Sequence, residues 1–182
     1  METTLDLAGA IAQRLQPHGF GTMPPQAAGE EGLAALLHRP RGSAGPRLFC
    51  AVVHLNGQRA AKDAVDAAQR IRRALAKQRK GFFPWPGQMG TFLVLVGGTD
   101  VYEDLRASMG SMLDTSSRHV NVLLGAVLVD RGSFQSVSDN ILGLLRTDGE
   151  FALIQGAVED WCRAHRRRNG HCAKSSAALN VA

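Results

Sequence analysis

The sequence predicts an α/β domain, with one mixed sheet of four to five strands and helices on both faces. Three features lead there. Phe92–Val96 (Phe-Leu-Val-Leu-Val) is continuous apolar sequence of strand length, as expected of a strand covered on both sides. Val120–Val129 repeats that character, interrupted by Gly125. Amphipathic helical stretches alternate with these runs, which is the pattern of an α/β fold.

The elements follow in order. Leu7, Ala8, Ile11, Ala12 and Leu15 make a helical stripe within Leu5–Leu15 that stops before Pro17. His18-Gly19-Phe20-Gly21 and Pro24-Pro25 read as loop. Leu33–His38 and Leu48–Leu55 are apolar runs around Pro40-Arg41-Gly42-Ser43-Ala44-Gly45-Pro46, a segment dense in turn formers, so they read as a hairpin. Helix is the competing reading for Leu33–His38, because Ala and Leu prefer it.

After Asn56-Gly57, Arg59 to about Arg79 reads as the longest helix, with Ala61, Ala64, Val65, Ala68, Ile71 and Leu75 on one face. The passage from Leu48–Leu55 through this helix to Phe92–Val96 is long enough for a right-handed βαβ crossover. Val101–Leu113 looks helical. Phe134–Leu145 fits helix or strand. Glu150–Arg168 is a helix with Phe151, Ile154, Val158, Trp161 and Cys162 along its apolar stripe.

Length and composition suit a single domain over residues 1–168, with residues 169–182 read as a disordered basic tail. The chain has 182 residues, 45% of them hydrophobic, which supports a real core. The N-terminus lacks a cationic stretch before an apolar one, and no apolar run approaches the roughly 20 residues needed to span a bilayer. An odd set of cysteines (Cys50, Cys162, Cys172) argues against a disulfide framework. The expectation is a cytoplasmic protein without a transmembrane segment.

The formal charge of +5 and a pI near 9.6 favour anionic partners in general. Arg70, Arg73, Lys77 and Lys80, spaced three or four apart, share the helix face opposite the apolar one. That helix runs into Gly81-Phe82-Phe83-Pro84-Trp85-Pro86-Gly87, where prolines and glycines forbid helix. A cationic face beside Phe82, Phe83 and Trp85 is a candidate surface for gripping a protein or polyanion. The plainer alternative has the aromatics folded back as a plug on the sheet edge, with the charges merely solvated. No helix-turn-helix, zinc-finger spacing or aromatic RNA-binding strand supports specific nucleic-acid readout.

A second candidate lies at the strand ends. Val96-Gly97-Gly98-Thr99-Asp100 and Val129-Asp130-Arg131-Gly132 each close an apolar strand on a glycine turn. Ligands of open α/β sheets sit at the carboxyl ends of strands. If the two strands are parallel neighbours, Asp100 and Asp130 would share a cleft able to hold Mg²⁺, with Thr99 or His119 assisting. Asp100 is equally a good N-cap for the helix at Val101, and Gly97-Gly98 has neither a dinucleotide-binding spacing nor a phosphate-loop lysine.

Catalytic and metal signatures are thin. Cys50 and His54 share one face of a strand but sit roughly 13 Å apart, too far for a nucleophile–base pair. Cys162, His165, His171 and Cys172 are zinc-ligand types, yet adjacent His171 and Cys172 would need an unusual turn to reach one ion, and Cys162 suits a buried thiol. No metal and no cofactor is expected. The reading is a non-catalytic binding or adaptor module acting through the cationic helix and aromatic-proline loop. The alternative is a small enzyme or nucleotide/Mg-binding protein using the strand-end carboxylates.

Overall fold

The computed structural model describes residues 2–24, 32–40, 47–55, 66, 69–71, 73–74, 89–97, 121–130, 132–138 and 146–168. Among these, helix α1 (Glu2–Leu15) leads through a 3-10 turn, Gln16–His18, to strands β1 (Gly21–Met23), β2 (Leu33–Arg39) and β3 (Arg47–His54). Strands β4 (Met89–Val96), β5 (Asn121–Asp130) and β6 (Ser133–Ser138) follow, and helix α2 (Asp148–Arg168) comes last. Residues 66, 69–71, 73 and 74 are also helical.

The strands form one six-stranded sheet whose spatial order is their chain order. β1–β2, β2–β3 and β5–β6 pair antiparallel; β3–β4 and β4–β5 pair parallel. The sheet is therefore mixed, as expected, but has six strands where four to five were expected. The additional strand is β1, in the stretch read as loop. Its three residues carry no alternation of their own and are strand because Gly21, Thr22 and Met23 register against His38, Leu37 and Leu36.

The ambiguous stretch after Phe134 is also strand where it is described, Ser133–Ser138. Its path is set by Gly132, whose φ of 91° lets the chain reverse within two residues after Asp130. Ser133 Oγ donates to the Asp130 carbonyl at 2.9 Å and secures the reversal. β5 thus ends in a hairpin rather than in a loop leading to a helix.

Period-two alternation splits the core in two. On one face Cys50, Val52, Phe92, Val94, Leu124, Val127 and Val129 pack with Leu7, Ile11 and Leu15 of α1 and Phe151, Ile154, Val158 and Cys162 of α2. On the other, Phe49, Ala51, Val53, Leu93, Leu95, Ala126 and Leu128 pack with Leu36 and with Ile71, one of the helical residues 69–71. A register shift opposite Leu124, between Thr91 and Phe92, keeps Leu124 and Gly125 on the first face.

Among the described residues two ion pairs also tie α2 to distant chain. Arg14 of α1 donates to Asp160 at 2.9 Å across exposed surface. Arg39, at the end of β2, donates to Glu150 in the first turn of α2, both side chains largely covered, with its guanidinium 5.4 Å over the Phe20 ring.

Candidate functional site

The candidate cationic stretch is oriented by Ile71, whose side chain is wholly buried in the second core cluster. A helix rotates 100° per residue, so burying Ile71 turns its neighbours one and two positions away toward solvent. Arg70 and Arg73 are both exposed. Arg73 Nη2 donates to Gln69 Oε1 at 3.4 Å, a bond between residues four apart on the helix. Lys77, Lys80, Phe82, Phe83 and Trp85 lie outside the described residues.

The strand-end candidate is defined by three parallel strands. His54 registers with Val96 and Val96 with Val129, so the carboxyl ends of β3, β4 and β5 lie side by side. Backbone bonds close the ends: Leu55 N–H to the Val96 carbonyl at 2.6 Å, and Gly97 N–H to the Val129 carbonyl at 3.2 Å. Asp130 is buried at 7% exposure. Because Val129 belongs to the α1–α2 face, alternation sets Asp130 on the opposite one, the face of Ile71. Thr99, Asp100 and His119 lie outside the described residues.

His54 belongs to the other face. Its Nδ1 shares a 2.9 Å hydrogen bond with Oγ1 of Thr4, a wholly buried residue in the first turn of α1. Burial, and secondarily the positive chain terminus, hold the imidazole below its ordinary pKa. His54 and Asp130 therefore do not converge, because the pleat sets them on opposite faces. His38, in the antiparallel part of the sheet, stacks on Phe49 at 4.9 Å between centroids, and burial followed by nearby Arg47 also lowers its pKa.

Both described cysteines are buried and have raised thiol pKa values. Cys50 is wholly buried, which pushes its thiol up to about 12. Cys162 is pushed up to about 11 by burial, with Arg166 opposing and Glu159 reinforcing. A thiol that stays protonated neither attacks nor ligates readily. His165, one helical turn from Cys162, stacks on Trp161 at 4.8 Å with the rings 10° from parallel. Among the described residues no group of three or more His, Cys, Asp or Glu side chains could hold a metal ion. His171 and Cys172 lie outside them. Among the same residues no helix is long and apolar enough to cross a membrane.

Two clusters escaped the sequence reading. Thr4–His54 joins residues 50 apart, and Arg39–Glu150 joins residues 111 apart. No local spacing announces either, because both are made by docking helices onto a finished sheet. The only advance signals were a threonine at the start of a helix and a charged residue at each end of the Arg39–Glu150 pair. Both clusters connect elements distant in the chain. No protein-family model matches this chain, and neither the curated proteins nor the solved structures gave a significant match to it.

Proposed function

We propose that the protein is a non-catalytic binding module that engages an anionic partner through the outward face of the helix carrying Arg70 and Arg73. The supporting observation is the orientation of that stretch: Ile71 is anchored in the core while Arg70 and Arg73 are exposed beside it. The sequence extends the same face through Lys77 and Lys80 to Phe82, Phe83 and Trp85. Charge supplies the long-range attraction, and the aromatics supply contact area that salt does not screen.

The test uses heparin as a model polyanion. Arg70→Glu with Arg73→Glu should lower the salt concentration needed for elution and flatten the salt dependence, at unchanged melting temperature, since exposed helical charges alter stability by about half a kcal/mol or less. Trp85→Ala should weaken binding while leaving the salt dependence nearly intact. Charge reversals without effect, together with a sharp loss of stability in Trp85→Ala, would defeat this reading and make the loop a core plug.

A second reading, a small nucleotide- or Mg²⁺-binding enzyme, draws on one observation. β4 and β5 are parallel neighbours, the arrangement under which Asp100 and Asp130 would share a cleft. Titration calorimetry with MgCl₂ and ATP tests it. Heat abolished by Asp130→Asn favours this reading over the first, and a silent titration removes it.

A further inference from the structure

β6 is the terminal strand of the sheet, and among the described residues no strand pairs with its outer side. The two-residue turn makes Asp130 and Ser133 the closing pair of the hairpin. Bonded and non-bonded pairs alternate along antiparallel strands, so the amides and carbonyls of Phe134, Ser136 and Ser138 point away from β5. Among the described residues nothing bonds to these outward groups.

Soluble proteins usually guard such an edge with lysines, proline, a bulge or very short length. β1, at the opposite edge, has the last of these, being three residues long. β6 has none. Ser-Phe-Gln-Ser-Val-Ser is six residues long, carries no charge and no proline, and keeps an unbroken register with β5.

We propose that β6 pairs antiparallel with β6 of a second copy of this chain, joining two sheets into one across a dyad. The occupant follows from charge. A two-fold axis sets the residue on it opposite its own copy and brings its neighbours close to theirs, so a charge there meets a like charge. A chain of net charge +5 meets its copy with least repulsion along a neutral strand, and β6 is neutral throughout.

The register follows from the outward groups. Cross-strand partners must lie on one face of the sheet, and bonded partners must both present outward amides. One register meets this for all three residues. It sets Ser136 opposite the partner subunit's Ser136, and Phe134 opposite the partner subunit's Ser138. The half-buried Phe134 ring then meets a small side chain on the α1–α2 face, while Gln135 meets the partner subunit's Val137 on the other. Gln155 of α2, which donates to Ser136 Oγ at 2.7 Å, brings the helix to the dyad.

Sedimentation equilibrium of the full chain, from low micromolar to sub-millimolar concentration, reads the association. The parent protein is expected to form a dimer. Ser136→Pro deletes an outward amide without removing a bond to β5, and Ser136→Lys brings two ammonium groups together at the dyad. Each should raise the dimer dissociation constant by about tenfold or more, with circular dichroism and melting temperature close to those of the parent. If Ser136→Pro does not fold, Ser136→Lys, which changes one exposed side chain and gives up only its exposed hydrogen bond from Gln155, carries the decision. A parent protein that is monomeric throughout overturns the proposal. So does a dimer that persists in the folded variants.

Discussion

The ring of Phe151 fills the space that a side chain at Gly125 would need. A Cβ there would lie 2.7 Å from Phe151 Cε2 and 2.8 Å from Cζ. The same ring stacks on Phe92, with centroids 5.7 Å apart and planes 15° from parallel. What looks in the sequence like an interruption of a central strand is the slot into which the start of α2 docks.

Gly125→Ala should therefore destabilise the protein by about 1–3 kcal/mol through overpacking. Urea unfolding measures this. Combining it with Phe151→Leu should recover part of the loss, because the smaller side chain vacates the slot. A Gly125→Ala protein as stable as the parent would mean that the ring is not held there.

Gly32 combines a φ of 84° with a position where a Cβ would approach the His54 carbonyl oxygen to 2.6 Å, and its own carbonyl accepts the His54 amide at 2.7 Å. The obstructing atom is backbone and cannot rotate aside. Gly32→Ala should cost about 1–3 kcal/mol, read as a lower urea midpoint at unchanged slope.

The Arg39–Glu150 pair is mostly covered, with side-chain exposures of 23% and 14%. Removing either partner leaves the other charge in a poorly solvated place. Arg39→Ala and Glu150→Ala should each cost about 1–3 kcal/mol. Arg39→Met with Glu150→Leu should cost less than either, since no isolated charge remains. A double variant as unstable as the sum of the singles would show that the pair does not act as a unit.

Stability should fall as the solution is acidified through the histidine range. His38 and His54 both have folded pKa values below the ordinary 6.5. Above pH 6.5 both states of each ring are neutral and the full stability is present. Below it the unfolded chain takes up protons that the folded chain refuses, so stability declines until the folded pKa values are passed. Urea midpoints between pH 8 and pH 5 check this, and His38→Gln with His54→Gln should flatten that portion of the profile.

Cys50 and Cys162, with thiols pushed up to about 12 and about 11, should resist alkylation by iodoacetamide at pH 8 in the native protein. Peptide mass spectrometry should find both labelled only after urea unfolding. Rapid native labelling of either would place it on a surface or in an opening segment.

Much of the sheet was legible in the sequence because its inner strands are covered on both faces. Leu48–Leu55, Phe92–Val96 and Val120–Val129 need apolar residues at consecutive positions, and no solvated element does. β6 was not legible because Phe134 and Val137 are three apart, a spacing that suits a helix as well as an edge strand. β1 was not because strand pairing, and not composition, makes Gly-Thr-Met a strand. Of the candidate surface, the outward direction of Arg70 and Arg73 could be read from their spacing around Ile71. The opposed faces of His54 and Asp130 needed the parallel register, which no single segment encodes.

The strand order also bears on synthesis. Each strand pairs with its neighbour in the chain, so the sheet can be laid down strand by strand as it leaves the ribosome. α1 has no such sequence-near partner in α2: Arg14 and Asp160 are 146 residues apart. At about 5–20 residues per second, the apolar stripe of Leu7, Ile11 and Leu15 precedes its helical partner by roughly 7–29 seconds. During that interval the nascent chain presents a half-covered sheet and an apolar helix face missing its helical partner, the kind of surface that holding chaperones bind.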